Sequence, residues 1–138
     1  MAKTILTVSV LVNATPEKVW QFFSTVNHVT QWNFASPDWH CPKASNDLIV
    51  GGLFSYTMEA KDGSFSFDLN GTFTKIDALK QLSYTLEDGR EVSVDFRKVK
   101  NGTTIEQSFE AESENSLELQ LNGWQAILDN FKNYVELN

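Results

Sequence analysis

Between residues 53 and 109 the sequence alternates apolar and polar side chains. Three dipeptides interrupt the alternation: Asp62-Gly63, Asp88-Gly89 and Asn101-Gly102. Successive side chains of a strand point to opposite faces of the sheet, so this alternation is typical of strands with one buried face. Asp-Gly and Asn-Gly favour tight hairpin turns. The segment therefore predicts an antiparallel meander with one covered face and one face in water.

The C-terminal segment predicts the element that covers this sheet. Apolar residues recur there at steps of three and four: Leu117, Leu121, Trp124, Leu128, Phe131 and Val135. This spacing is typical of a helix, and Ser116 is a suitable N-cap. A helix over 117–136 would be about 30 Å long. Because one helix cannot fill the concave side of a twisted sheet of about six strands, the remaining space is either packed by rings or open to a ligand.

The N-terminal part predicts one strand and two short helices. The β-branched run Lys3–Val12 predicts the strand. Thr15 is a good N-cap and Pro16 suits the first helical position, so a helix is expected to begin there. A second short helical turn is expected over His28–Trp32. Residues 33–52 carry two prolines and a Gly-Gly pair, and we expect an irregular, functional loop.

Composition narrows the classes of protein and of partner. The chain has 138 residues, which predicts a single domain over 1–138. A net charge of −7 disfavours nucleic acids and anionic membrane surfaces as partners. The N-terminus does not resemble a signal peptide, and no apolar run is long enough to span a membrane. Cys41 is the single cysteine. We therefore expect a cytoplasmic protein that does not insert into membranes, either a monomer or a homodimer.

Four motifs resemble one family over essentially the whole chain. They are "ATPEKVW" (14–20), "VGGLFSYTMEAKDGSFSFDLNGTF" (50–73), "DGREVSVDF" (88–96) and "GWQAILDNFKNYVE" (123–136). They are similar to the START-like, or SRPBCC, superfamily, and within it to the domain type shared with the C-terminal domain of the activator of heat-shock-protein-90 ATPase. The resemblance implies an α+β helix-grip fold. In it a curved antiparallel sheet of about six to seven strands wraps around a long C-terminal helix, with two short helices after the first strand.

The resemblance also implies a deep apolar cavity between sheet and C-terminal helix, which the superfamily uses for lipids, polyketides and other hydrophobic molecules. In similar proteins the Gly-Trp step lies where the helix passes over the cavity. Gly123 is then expected to permit close backbone approach, and Trp124 to point into the space. The alternative is a packing glycine beside a core tryptophan, with no cavity.

The inward-facing rings form the candidate ligand site. The chain has ten Phe, four Trp and three Tyr, more ring surface than one helix on a sheet requires. The candidate ligand-binding residues are Trp32, Trp39, His40, Phe54, Tyr56, Met58, Phe65, Phe67, Tyr84, Phe96, Trp124 and Leu128. Apolar walls with a few polar side chains are typical of small-molecule sites. The alternative is that these residues form an ordinary core.

No catalytic residue, metal ligand or cofactor is assigned from the sequence. His40 and Cys41 are adjacent, and adjacent side chains of an extended chain point apart. Two histidines and one cysteine without ligand spacing disfavour a metal site. By parity the strand carboxylates Asp68, Asp95 and Glu106 face water.

Three functions follow from these expectations. The first is non-enzymatic binding or transport of a small hydrophobic molecule. The second is a stress-response or chaperone-associated cofactor of the heat-shock-protein-90 ATPase activator type, which is doubtful because stimulation in that family depends on a separate N-terminal domain. The third is a cyclase- or hydrolase-type enzyme, with His40 and a tyrosine as proton carriers in the cavity.

Overall fold

The computed structural model describes residues 3–138, so Met1 and Ala2 of the predicted N-terminal segment lie outside the described residues. Within them the chain forms seven strands and three helices. In chain order these are β1 (Ile5–Val12), α1 (Pro16–Ser24), α2 (Val26–Trp32), β2 (Trp39–Asn46), β3 (Leu53–Ala60), β4 (Ser66–Asp77), β5 (Gln81–Leu86), β6 (Glu91–Val99), β7 (Gly102–Glu110) and α3 (Leu117–Leu137).

The seven strands form one antiparallel sheet in the order β1-β7-β6-β5-β4-β3-β2. The sheet curls into a half-barrel, and α3 lies along its concave face. The expected helix-grip architecture is confirmed. The three Gly-containing dipeptides lie at the connections of the meander, where Gly63, Gly89 and Gly102 have positive φ.

The helix boundaries agree with the capping residues of the sequence. The Thr15 hydroxyl accepts a hydrogen bond from the Lys18 amide, and Pro16 follows at the first helical position. The Ser116 hydroxyl accepts from the Leu119 amide at the start of α3. None of the helices described here has the length and apolar character that crossing a membrane requires.

Strand β2 corrects the expectation that residues 33–52 form an irregular loop. Residues Trp39–Asn46 pair with β3, and the register shifts between His40 and Lys43. Pro42 lies within this shift, and β2 is an edge strand of the sheet. An edge strand with a bulge tolerates a proline, and the bulge removes the alternation by which the other strands were recognised.

The interior is divided along α3. Near its C-terminal end, Phe131 and Val135 are fully buried. The ring of Phe131 packs against Phe23 and Trp32, with centroids 5.3 and 4.8 Å apart. Near its N-terminal end, Leu117 and Leu119 are exposed. The core is thus solid around the second half of α3 and open around the first half.

Candidate functional site

A cavity of about 440 Å³ lies between the N-terminal half of α3 and the inner face of β3, β4 and β5. Its volume is in the range of small-molecule sites, roughly 300–1,000 Å³. The loop between α2 and β2 borders it through Phe34 and Ser36, and the segment before α3 through Glu112 and Asn115. Apolar side chains form most of the wall. A single helix on a strongly curled sheet thus leaves a cavity that aromatic side chains line but do not fill.

Most of the candidate ligand-binding residues line this cavity. These are Trp32, Trp39, Phe54, Tyr56, Met58, Phe67, Tyr84, Trp124 and Leu128. The members on β3, β4 and β5 lie at the inward parity of those strands, as the alternation indicates, and Trp39 is the first residue of β2. Their location is therefore observed, while their role in binding a ligand stays a prediction.

Three candidate residues lie elsewhere, which corrects the expectation that they border the same volume. His40 is on the outer face of the sheet, where its Nε2 is 3.0 Å from Glu59 Oε1. Phe65 is 58% exposed at the tip of the β3–β4 hairpin. Phe96 points inward but lies beside α1, with its ring centroid 5.3 Å from that of Trp20 and 5.4 Å from that of Phe23.

Gly123 and Trp124 both line the cavity, but they act differently from what the resemblance implies. A Cβ built at Gly123 has no heavy atom within 4 Å, so no close backbone approach requires a glycine there. The Trp124 ring stacks on Phe109, with centroids 4.0 Å apart and planes at 7°. Gly123 therefore leaves open space, and Trp124 forms a wall that Phe109 holds in place.

Gly71 serves the close packing that was expected of Gly123. It pairs with Phe54 in regular register, and the irregularity of β4 lies between Phe73 and Lys75. A Cβ at Gly71 would lie 2.5 Å from Phe54 Cε2. The glycine thus makes room for the Phe54 ring in the cavity wall.

One polar pair lies on the sheet side of the cavity. Tyr84 and Gln107 are 9% and 7% exposed, and Gln107 Nε2 donates to the Tyr84 hydroxyl at 3.4 Å. Burial raises the pKa of the Tyr84 phenol, and the nearby Tyr56 raises it further. The Tyr84 phenol is therefore neutral at physiological pH.

A second polar group is formed by side chains from β2 and β3. Asn46 Nδ2 donates to the Tyr56 hydroxyl at 3.1 Å and to the Ser24 carbonyl at 2.8 Å. Burial raises the pKa of Tyr56 to about 12, against the hydrogen bond from Asn46. Burial also raises the pKa of the Cys41 thiol to about 11, which Asn33 partly opposes. Tyr56 and Cys41 are therefore both protonated near neutral pH.

Three rings lie together at the mouth of the cavity. Trp39 is 5.9 Å from Phe65 and 6.1 Å from Phe67 between ring centroids. Phe67 is 41% exposed and lines the cavity, whereas Phe65 does not. We call Trp39, Phe65 and Phe67 the mouth rings. Since Leu119 at the start of α3 also lines the cavity and is exposed, the opening is apolar on both sides.

Several lining residues were missed by the sequence analysis. Gln107 lies at an inward position between Ile105 and Phe109, so its parity carries a signal that a polar group faces the interior. Gln120 is buried because its amide binds the loop before α3, including the Glu112 amide, which donates to Gln120 Oε1 at 2.8 Å. Arg90 lines the cavity from the β5–β6 turn, and no periodicity marks such a position.

The arrangement lacks an activated nucleophile in the part of the chain described. A thiol whose pKa is about 11 is a poor nucleophile at neutral pH. Cys41 Sγ donates to the Lys43 carbonyl at 3.6 Å, while His40 binds Glu59 on the other face. Within residues 3–138 no three His, Cys, Asp or Glu side chains gather as metal ligands. Apart from Arg90 and Glu112, the residues that line the cavity are apolar or carry neutral hydrogen-bonding groups.

Solved structures with the same architecture include two of high sequence identity. The AHSA1-like protein from Aeromonas hydrophila is 42% identical, with a TM-score of 0.92 over 97% of this chain and 93% of that chain. Chr148 from Cytophaga hutchinsonii is 47% identical, with a TM-score of 0.82 over 96% and 92%. A protein from Nitrosomonas europaea is 16% identical with a TM-score of 0.84, which shows a shared fold alone.

No curated protein matches the chain. The family model described as "Activator of Hsp90 ATPase homolog 1-like protein" matches residues 13–136, from the end of β1 almost to the end of α3. The START-like fold of this family supports ligand binding in general. On the family match and the two close structural relatives, the chain belongs to the AHSA1-like family of the SRPBCC superfamily.

Proposed function

We propose that this protein binds or transports a small hydrophobic molecule, held in the cavity under α3, without chemical conversion. The observation that carries the proposal is the cavity itself, about 440 Å³ bordered mainly by apolar side chains and open at the mouth rings. Burying apolar surface contributes about 25 cal/mol per Å². A molecule that fills such a space gains several kcal/mol from desolvation.

The chemistry of the wall favours binding over catalysis. General acid–base catalysis requires groups that exchange protons near the operating pH. Of the phenols on the wall, Tyr56 has a pKa of about 12 and the pKa of Tyr84 is also raised. The Cys41 thiol, which does not line the cavity, has a pKa of about 11. His40, the proton carrier of the enzyme hypothesis, faces away from the cavity. The two phenols can hold a ligand in place, but they are poorly suited to moving its protons.

The test uses N-phenyl-1-naphthylamine, an uncharged dye whose fluorescence rises in apolar surroundings. We expect saturable enhancement with the purified protein. Native extraction and mass spectrometry should reveal any molecule that co-purifies. Absence of both dye binding and a co-purifying apolar molecule would contradict the proposal.

Two hairpin variants distinguish the cavity from the exposed rings. Phe67→Ala removes a ring that lines the cavity, and Phe65→Ala removes a neighbouring ring that does not. We expect Phe67→Ala to weaken dye binding about 5- to 10-fold, since a lost ring contact contributes about 1 kcal/mol. Phe65→Ala should change it less than twofold. Equal losses in both variants would place the dye on the surface of the mouth rings instead.

A further inference from the structure

The hydroxyl of Tyr84 is a buried donor on the cavity wall. Tyr84 is 9% exposed, and its oxygen accepts a hydrogen bond from Gln107 Nε2. Among residues 3–138 the O–H group of Tyr84 donates no hydrogen bond. A buried donor without an acceptor is unfavourable, because it has lost its hydrogen bond to water and gained none. The wall therefore carries a donor for an acceptor that a ligand can supply.

Tyr56, which is half-buried, carries a second phenol on the neighbouring part of the wall. Its oxygen accepts from Asn46 Nδ2, which the Ser24 carbonyl holds in place. Among the described residues its O–H group again donates no hydrogen bond. Phe54 lies between the two phenols, with its ring centroid 4.9 Å from that of Tyr56 and 5.0 Å from that of Tyr84. The two free donors thus flank one apolar ring and border the same cavity.

The charges near the cavity oppose an anionic ligand. Of the side chains that line it in the described chain, Arg90 alone is cationic. Its Nε donates to Asp88 Oδ2 at 2.7 Å, and Glu112 also lines the cavity. A carboxylate in an apolar site requires a paired cation, because burial of an isolated charge is very unfavourable. A neutral acceptor avoids this cost and still satisfies the phenols.

We propose that the ligand is an uncharged, largely apolar molecule with a carbonyl oxygen that accepts hydrogen bonds from Tyr84 and Tyr56. This inference rests on the proposed function and specifies the chemical class of its ligand. The apolar walls bind the hydrocarbon part. The two phenols fix the orientation of the carbonyl and distinguish such a ligand from a hydrocarbon of the same shape.

Three compounds of similar shape test the inference by calorimetry. Benzophenone has the carbonyl, diphenylmethane lacks it, and diphenylacetate replaces it with an anionic group. In the unmodified protein we expect benzophenone to bind more tightly than diphenylacetate by at least tenfold. The ratio of benzophenone to diphenylmethane affinity should fall 5- to 20-fold in Tyr84→Phe and Tyr56→Phe.

Tyr134→Phe is the matched control, because Tyr134 is outside the cavity and its hydroxyl binds His28 Nδ1 at 2.7 Å. The infrared carbonyl stretch of bound benzophenone adds a readout that reports the hydrogen bond itself. We expect it at lower frequency in the unmodified protein and in Tyr134→Phe. It should move to higher frequency in Tyr84→Phe and Tyr56→Phe.

The outcomes separate the inference from the proposed function. Equal affinity ratios in all four proteins, with an unchanged carbonyl stretch, would overturn the inference while apolar binding stands. Tighter binding of diphenylacetate than of benzophenone would also overturn it. If none of the three compounds and no dye bound, the proposed function would fail and the inference with it.

Discussion

The phenol of Tyr56 links the candidate site to the stability of the protein. Its pKa is raised from 10.0 to about 12, chiefly by burial. The folded state therefore keeps a proton that the unfolded state releases between these values. Since the folded state then binds more protons, the free energy of unfolding must decrease as the pH rises through this interval. Below pH 10 both states are protonated, and the contribution is fully present.

Tyr56→Phe should reduce this alkaline loss of stability. Two pKa units correspond to on the order of 2–3 kcal/mol. The free energy of unfolding is measured in urea between pH 9 and pH 12. Over this interval we expect its decrease to be smaller in the variant than in the unmodified protein by about this amount. Phenolate absorbance gives an independent titration. Equal losses in the two proteins would show that the Tyr56 hydroxyl is exposed to solvent in the folded state.

For single residues, parity predicts which face of the sheet a side chain occupies, but not whether an inward side chain packs in the core or borders the cavity. Phe54 and Phe96 were both assigned inward, and both are buried. Phe54 borders the cavity, whereas Phe96 lies beside Trp20 at the packed end. The alternation of side chains along a strand does not show how far the covering helix lies from each inward position. The sequence therefore predicted the inner face, and the structure was needed to divide it into core and cavity wall.

Among the elements, α3 and β2 mark the limits of prediction from sequence. Helix α3 was predicted over 117–136 and is found over Leu117–Leu137, because a long apolar stripe with an N-cap is a strong signal. Strand β2 was missed because Pro42 and its bulge remove the alternation. The pairing of β2 with β3 depends on contacts distant in sequence.

Gly123 gives α3 an element-scale test. Its Cβ position is free of contacts, so Gly123→Ala should raise the free energy of unfolding by roughly 0.5–1 kcal/mol, as for other helix-interior glycines. Dye affinity should stay within about twofold. Gly123→Phe adds a ring at the same position, on the cavity side of the helix, and should lower dye affinity at least tenfold.

Thermal or urea unfolding and dye titration measure both variants. Gly123→Ala is the control for any change in the helix itself. Destabilisation by Ala would mean that the backbone approaches the sheet more closely than 4 Å at this point. Unchanged binding in Gly123→Phe, with the fold intact, would move the ligand away from α3.

Over the whole molecule, the interior consists of a solid end and an open end joined by α3. Fully buried side chains such as Phe131, Val135, Val19 and Val29 fill the solid end. Exposed Leu117 and Leu119 and the mouth rings surround the open end. A segment with few buried apolar contacts opens locally at a lower free energy than the global core. The C-terminal half of α3 therefore belongs to the stable core, whereas its N-terminal half, which covers the cavity, is expected to open more easily.

Hydrogen exchange should detect this division directly. In the free protein we expect amides of 121–126 to exchange faster than those of 128–135. Saturation with N-phenyl-1-naphthylamine should slow exchange in 121–126 and along β3–β4, because a ligand that binds the folded state adds RT ln(1 + [L]/Kd), about 2.7 kcal/mol at 100 times Kd. The 128–135 amides report the global stability, so their protection should rise by no more than that amount.

Equal protection of both halves in the free protein would mean that the cavity does not weaken the first half of α3. Protection by the dye at the solid end alone would place the ligand outside the cavity.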